Sequence, residues 1–257
     1  MKNAPVLQFS GIIPARYASS RFPGKPLVMI GNKPMIQRVY EQARSSLEMI
    51  YVATDDRRIF DAVSEFGGKA VMTSPDHLSG TDRCAEAVDK IDAETGRKTE
   101  IVINIQGDEP FIRPEQITLL MKCFTDESVE IATLIRKVGP GEDIFNHNQP
   151  KVILDSKNNA IYFSRSAIPY IMAKEKTDWS KNHVFYKHIG LYAYRTATLK
   201  QITLLPRSLL EISESLEQNR WIENGYRIRT ALSEWENISI DTPDDLERAK
   251  LLFEQFF

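Results

Sequence analysis

The chain of 257 residues carries 33 Lys and Arg against 35 Asp and Glu, a formal charge of −2, with 42% hydrophobic residues, 12 Gly and 13 Pro. That apolar content is too high for a disordered chain, and Gly and Pro are too few for a collagen-like or low-complexity one. Balanced charge argues against a chain built to coat nucleic acid or an acidic membrane, and the length suits one large α/β domain or a core with a smaller lobe. In the first half, apolar runs alternate with helix-period segments. A buried strand is expected over 6–13, then a helix over 34–46 with Met35, Ile36, Val39, Tyr40 and Ala43 on one face. A strand over 49–54, a helix over 56–66 ending at Gly67-Gly68 and a short strand over 69–73 follow. A helix from Thr81 leads to the Ile-rich strand 101–105, and Pro114 opens a further helix to 124. Strands alternating with helices imply parallel βαβ units and a layered α/β fold.

The second half is less regular. Strands are expected over 129–136, 151–155 and 160–164, with a turn over 156–159. A polar stretch over 174–182 reads as a surface loop, 184–194 as a strand, 209–224 as one helix stopped by Gly225, and 226–232 as a strand. The last helix has a full start signal, with Thr242 as N-cap, Pro243 at the first position and Asp244 and Asp245 in the first turn. Neither an internal repeat nor a linker divides the chain into independent domains.

Cys84 and Cys123 lie too far apart for a metal-ligand spacing and read as reduced thiols on two helices. The N-terminal Met-Lys-Asn-Ala-Pro-Val is not a signal peptide. No run approaches the roughly 18 apolar residues of a membrane helix. A cytoplasmic protein that does not enter a membrane is expected.

Chemistry concentrates in three segments. Ile13-Pro14-Ala15-Arg16-Tyr17-Ala18-Ser19-Ser20-Arg21-Phe22-Pro23-Gly24-Lys25-Pro26-Leu27 follows the first strand, in the crevice where α/β sheets bind ligands. Its small residues let backbone N–H groups approach an anion, and its cations suit phosphate oxygens. It is neither a Walker loop nor a Gly-x-Gly-x-x-Gly motif. Asn104-Ile105-Gln106-Gly107-Asp108-Glu109-Pro110 places an acidic pair at a strand's carboxyl end, suited to a hard divalent cation bridging to phosphates. In Ile238-Ser239-Ile240-Asp241-Thr242-Pro243, Asp241 is expected to end a short strand before the last helix. Asp108 and Asp241 together could share Mg²⁺ with a triphosphate, so the three segments point to phosphoryl or nucleotidyl transfer.

Together with Asp76-His77-Leu78-Ser79-Gly80-Thr81-Asp82-Arg83, Phe163-Ser164-Arg165, the run from His188 to Tyr192 and that from Asp241 to Leu246, these segments resemble the 3-deoxy-manno-octulosonate cytidylyltransferase family. The likeness runs from Gly11 to the final helix. It implies a three-layer α/β fold like that of nucleotide-diphospho-sugar transferases, Rossmann-like, with a mixed, mostly parallel sheet and a smaller second lobe. It further implies one cytidylyltransferase domain over 1–257: a nucleotide-binding part to about 130, a sugar-binding and dimerisation lobe over 131–235, and a return strand with the C-terminal helix over 236–257. The implied reaction transfers CMP from CTP to the anomeric hydroxyl of 3-deoxy-manno-octulosonate (Kdo), releasing pyrophosphate, for lipopolysaccharide assembly. Arg16 and Lys25 match the triphosphate-binding cations, and Asp108 and Asp241 the Mg²⁺ ligands. Thr81, Arg83 and Gln106 match cytosine-reading positions, helped by backbone groups around Pro14 and Ala15. Arg165 and His188 match positions facing Kdo, with Tyr192, Glu217 and Gln218 on its hydroxyls. A homodimer is implied, with no nucleic-acid or membrane partner.

His77 and His183 read as loop residues without a ligand role, and Trp179, Trp221 and Trp235 as packing or interface residues. Two departures stand out: Asn219 lies where the resemblance leads one to expect Leu before Arg220-Trp221, and the loop 173–182 has no clear family pattern, which leaves Kdo and an 8-amino analogue both open as the sugar. Three other readings compete. A sialic-acid cytidylyltransferase usually has Lys-Asn where this chain has Lys25-Pro26. A GT-A glycosyltransferase would use Asp108-Glu109 as its metal motif and release no pyrophosphate. A non-catalytic nucleotide-binding module would bind CTP without turnover.

Overall fold

The computed structural model describes residues 7–18 and 21–256, so the N-terminal hexapeptide with Val6 of the expected first strand, and the loop serines Ser19 and Ser20, lie outside the described residues. The first elements are β1 (Phe9–Ala15), the hairpin β2 and β3 (Met29–Ile30, Lys33–Pro34), α1 (Met35–Arg44), β4 (Ile50–Thr54), α2 (Arg57–Glu65) and β5 (Ala70–Met72). Next are α3 (Gly80–Thr95), β6 (Ile101–Asn104), α4 (Pro114–Cys123), β7 (Ile131–Lys137), β8 (Lys151–Leu154) and β9 (Asn159–Ser164). The last are α5 (Trp179–Asn182), β10 (Tyr186–Arg195), α6 (Thr196–Ile202), α7 (Leu209–Glu214), α8 (Glu217–Glu223), β11 (Ile228–Leu232) and α9 (Pro243–Phe256). No helix among the described residues is long and apolar enough to cross a membrane.

These elements form two compact units, each discontinuous along the chain. Residues 7–118, Ala193–Thr203 and 237–256 make the first, and Leu119–Tyr192 with Leu204–Glu236 the second. In the first unit β5, β4, β1 and β6 lie side by side and parallel, so the loops after β1 and β6 leave from the same edge. β4 is buried at all five positions, as its unbroken apolar sequence requires of a strand covered on both faces. α1 buries the face its periodicity marked, Met35, Ile36, Val39, Tyr40 and Ala43. α3 starts in a capping box: Ser79 accepts from the Asp82 N–H, and the Asp82 carboxylate accepts from that of Ser79. α9 closes the unit, packing Leu246 and Ala249 with Ile30, Met35, Phe111 and Ile240.

The second unit mixes strand directions. β11 runs parallel to β7 and antiparallel to β9, and β8 runs antiparallel to both β9 and β10. Three expectations are corrected here. Residues 174–182 are not a plain surface loop: they hold a 3₁₀ turn (Lys176–Asp178) and α5, and Trp179 is buried with Ile144 and Phe185. The single helix expected over 209–224 is α7 and α8, separated at Ser215, whose φ of 51° breaks the ladder. In the first unit, the stretch 238–241 is irregular chain rather than a strand, and the Ile240 N–H donates to the Asp108 carbonyl at 2.9 Å. α6, directly after β10, had no counterpart in the sequence reading.

Candidate active site

The loop after β1 is shaped by Tyr17 and Gly24. Gly24 N–H donates to the Tyr17 carbonyl at 2.9 Å, and Gly24 takes the left-handed φ of 72° that opens the turn Lys25–Leu27. A Cβ on Gly24 would stand 3.1 Å from the Tyr17 ring. The other side of that ring is covered by the Arg58 guanidinium, 3.3 Å from its centroid, and Arg58 is forked onto Asp56, the N-cap of α2. This packing fixes where Lys25 leaves the loop.

Lys25 Nζ donates to Asp108 Oδ2 at 2.5 Å and to Asp241 Oδ1 at 3.0 Å. Arg21 Nη2 lies 3.0 Å from the same Asp241 oxygen. The two aspartates come from loops 133 residues apart (241 − 108), joined by the bond from Ile240 to Asp108 and by burial of Ile240 in the α9 cluster. Gly107 lets the loop after β6 lie against that after β1, since a Cβ there would meet the Pro14 carbonyl oxygen at 3.0 Å. Asp108 and Glu109 do not act as a pair. Glu109 is buried, accepts from the Asn237 amide, and is pushed up to about 8 by burial and then by the Asp108 charge. Only Asp108 of the two lines the cleft.

The loops enclose a cleft of about 300 Å³ lined by Pro14, Ala15, Arg16, Arg21, Lys25, Arg83, Gln106, Asp108 and Asp241, among others. Every residue matched to CTP or the metal is there except Thr81, which is buried in the first turn of α3 and does not line it. Arg83 Nη1 donates to Thr73 Oγ1 at 2.6 Å and to the Ser74 carbonyl at 3.2 Å, which sets its guanidinium in the wall. Sequence reasoning counted Arg21 only among the phosphate-suited cations of the first loop, gave no role to Ser79 or Gly80, and read His77 as a loop residue without a ligand role. His77 lines the cleft, its imidazole on the Glu86 carboxylate. The signal was available, since all four lie inside quoted segments.

The residues matched to the sugar gather in the second unit. Arg165, just past β9, donates from Nε to the Glu214 carbonyl at 2.5 Å, from Nη2 to that of Ser215 at 3.3 Å and from Nη1 to that of His147 at 3.0 Å. These bonds set it beside the start of α8, which carries Glu217 and Gln218. On β10, the His188 and Tyr192 rings lie 5.3 Å apart, and Tyr192 meets Trp221 of α8 edge-on at 5.2 Å. Burial pushes His188 down to about 3, so it is neutral at pH 7. Thr133 Oγ1 lies 3.0 Å from His188 Nε2 and donates to a β10 carbonyl, Leu191 O at 2.9 Å. Its one proton so used, the hydroxyl accepts from Nε2–H and selects that tautomer. Burial, then the Glu217 charge, raises the Tyr192 phenol well above its usual range. Trp179 and Trp221 are buried, in keeping with packing roles, and neither Cys84 nor Cys123 is in a disulfide.

An open basic cleft at the ends of parallel strands defines a nucleotide-transferring class, and residues 10–230 match the family described as cytidylyltransferase. A 3-deoxy-manno-octulosonate cytidylyltransferase from Parabacteroides distasonis is 57% identical over 95% of this chain and 97% of its own length. That from Bacteroides thetaiotaomicron is also 57% identical, over 95% and 97%. The solved structure of CMP:2-keto-3-deoxy-manno-octonic acid synthetase complexed with CTP matches with a TM-score of 0.87 at 42% identity, covering 97% of this chain and all of that one. The chain belongs to the family of 3-deoxy-manno-octulosonate cytidylyltransferases.

Proposed function

We propose that this chain transfers CMP from CTP to Kdo, releasing pyrophosphate, with Mg²⁺, as a cytoplasmic homodimer serving lipopolysaccharide biosynthesis. The observation that carries the reading is the convergence of Asp108 and Asp241 on the Lys25 ammonium, inside a cleft that also holds Arg16, Arg21 and Arg83. Two carboxylates shared between Lys25 and Arg21, with Arg16 and Arg83 beside them, suit a triphosphate with its counter-ion.

The donor set fits magnesium. Two carboxylate oxygens already lie within 3.0 Å of one positive centre, and Mg²⁺ usually takes one or two carboxylates and completes its shell with phosphates and water. Asp108 and Asp241 would hold it, and when bound it neutralises charge on the triphosphate and polarises the α-phosphate. Arg16, Arg21 and Lys25 offset charge developing on the leaving pyrophosphate, the electrostatic contribution that dominates such transfers. Arg83 and Gln106, with main chain at Pro14 and Ala15, present the fixed polar groups that distinguish cytosine's amine from its acceptors.

On the sugar side, the Arg165 guanidinium donates to the carbonyls of Glu214, His147 and Ser215, with no carboxylate among these acceptors, and it is a match for a sugar carboxylate. Neutral His188, Tyr192, Glu217 and Gln218 offer the mixed donors and acceptors a polyhydroxylated acid needs. The anomeric hydroxyl attacks the α-phosphate as the bond to pyrophosphate breaks, and no covalent enzyme intermediate is required. Burial of Glu109 away from the cleft speaks against an Asp108-Glu109 metal motif of the glycosyltransferase kind.

Purified protein with Mg²⁺, CTP and Kdo should release pyrophosphate and form CMP-Kdo, read by mass spectrometry. Turnover of a different acidic sugar but not Kdo would remove the substrate and keep the reaction class. CTP binding without any turnover would leave a nucleotide-binding module.

A further inference from the structure

We infer that Asn219 is a positioning residue for the acidic sugar, a role that rests on the sugar reading above. Its side chain is 1% exposed and spends both ends of its amide on the main chain of one residue. Oδ1 accepts from the Phe163 N–H at 3.3 Å, and Nδ2 donates to the Phe163 carbonyl at 3.0 Å. That is the pattern a neighbouring strand would supply. The neighbouring strand is missing there: β11 pairs with β9 only at Asn159 and Ala160, three residues short of Phe163. Asn219 extends the ladder with a side chain.

The bond joins two elements that carry sugar-matched groups. Asn219 follows Glu217 and Gln218 on α8. Phe163 precedes Ser164 and Arg165 on β9, and its fully buried ring meets His188 edge-on with centroids 4.9 Å apart. A Leu of similar volume would fill the space but leave a buried N–H and C=O of Phe163 without Asn219, and α8 would no longer be fixed to the strand that delivers Arg165. The polar residue that departs from the expected Leu therefore sets the spacing across the sugar pocket.

The test measures KM for Kdo and for CTP separately in the full chain, beside thermal unfolding. Asn219→Leu should raise the Kdo KM about tenfold, the factor one buried hydrogen bond carries, and leave that for CTP within about twofold. Asn219→Gln keeps the amide and should return the Kdo KM to within about threefold of the parent. A role in folding alone lowers the active fraction and kcat with both KM values unchanged, and that result overturns the proposal. Should Asn219→Leu fail to fold, Asn219→Ser carries the test. Its shorter side chain cannot reach both the N–H and the carbonyl of Phe163, and an unchanged Kdo KM there defeats the idea. If the parent protein ignores Kdo but turns over another acidic sugar, the sugar reading fails, and the same comparison with that sugar decides the role of Asn219. No turnover of any acidic sugar removes both.

Discussion

The nucleotide cleft and the sugar cluster hold their charges in opposite ways. In the cleft, side chains neutralise one another: Lys25 sits between Asp108 and Asp241, and Arg21, mostly exposed, shares Asp241. Asp108 and Asp241 both keep solvent access, so on the proposed reading these pairs can exchange partners for a triphosphate and a metal. In the sugar cluster, the Arg165 guanidinium is held by carbonyls, His188 is neutral by burial, and Asn219 locks the strand between them. One region is built to rearrange its ion pairs. The other is set in advance.

That contrast is broken most strongly at the aspartates. Asp108→Asn and Asp241→Asn should each lower pyrophosphate release at least about a hundredfold, the order seen when one group aimed at transition-state charge is lost. Their unfolding free energies should move by no more than about 1 kcal/mol, because the lost partners are partly solvated. Near-parental turnover in both would show that the carboxylates only pair with Lys25.

Arg165→Ala comes next. On the proposed reading it removes a charge-assisted contact to the sugar carboxylate, with about 10- to 100-fold in the Kdo KM expected and the CTP KM unchanged. A matched rise in both constants would erase the division between the two regions. Lys25→Ala should cost less, about tenfold in kcat/KM for CTP, because a triphosphate gains only the difference between its own pull on Lys25 and that of two aspartates. A larger loss for Kdo than for CTP would reverse the assignment.

The two regions also differed in how far the sequence disclosed them. β1, β4 and β6 are mainly apolar, and the chain after β1 and β6 turns to Pro, Gly and charged residues, so both strand and loop were legible at Ile13–Pro14 and at Ile105–Asp108. The approach of Asp241 to Asp108 was legible only as chemistry, two carboxylates each just past an apolar run. What binds them is the Ile240 hydrogen bond and α9 packing, which no local pattern encodes, and the strand expected at 238–241 does not form. The break between α7 and α8 falls on Ser215, a residue that rarely takes positive φ, so no Gly or Pro announced it. Tertiary contact decides it: Arg165 binds the Glu214 and Ser215 carbonyls that a continuous helix would keep for itself. Asn219 was visible as an anomaly, yet its partner lies 56 residues away. The 174–182 stretch misled through composition, its lysines and polar residues masking the single Trp179 that anchors it.

The smallest expected effect tests whether the sugar cluster is set in advance. His188 lies near 3 in the folded chain against an ordinary value of 6.5, with burial as the cause. Between those values the unfolded chain binds a proton that the folded one refuses. The stabilisation is therefore complete above pH 6.5 and lost as pH falls toward 3. At pH 5 the loss from this residue should be about 1–2 kcal/mol. It is read in urea unfolding as the difference between parent and His188→Gln in the midpoint change from pH 7 to pH 5, because Glu109, pushed up to about 8, acts in the opposite sense over that interval. His188→Gln cannot titrate and should show a shallower fall over the same interval. Parallel slopes for His188→Gln and parent would mean that the imidazole is already solvated in the folded chain, and the contrast between an adjustable cleft and a fixed sugar cluster would lose its electrostatic half.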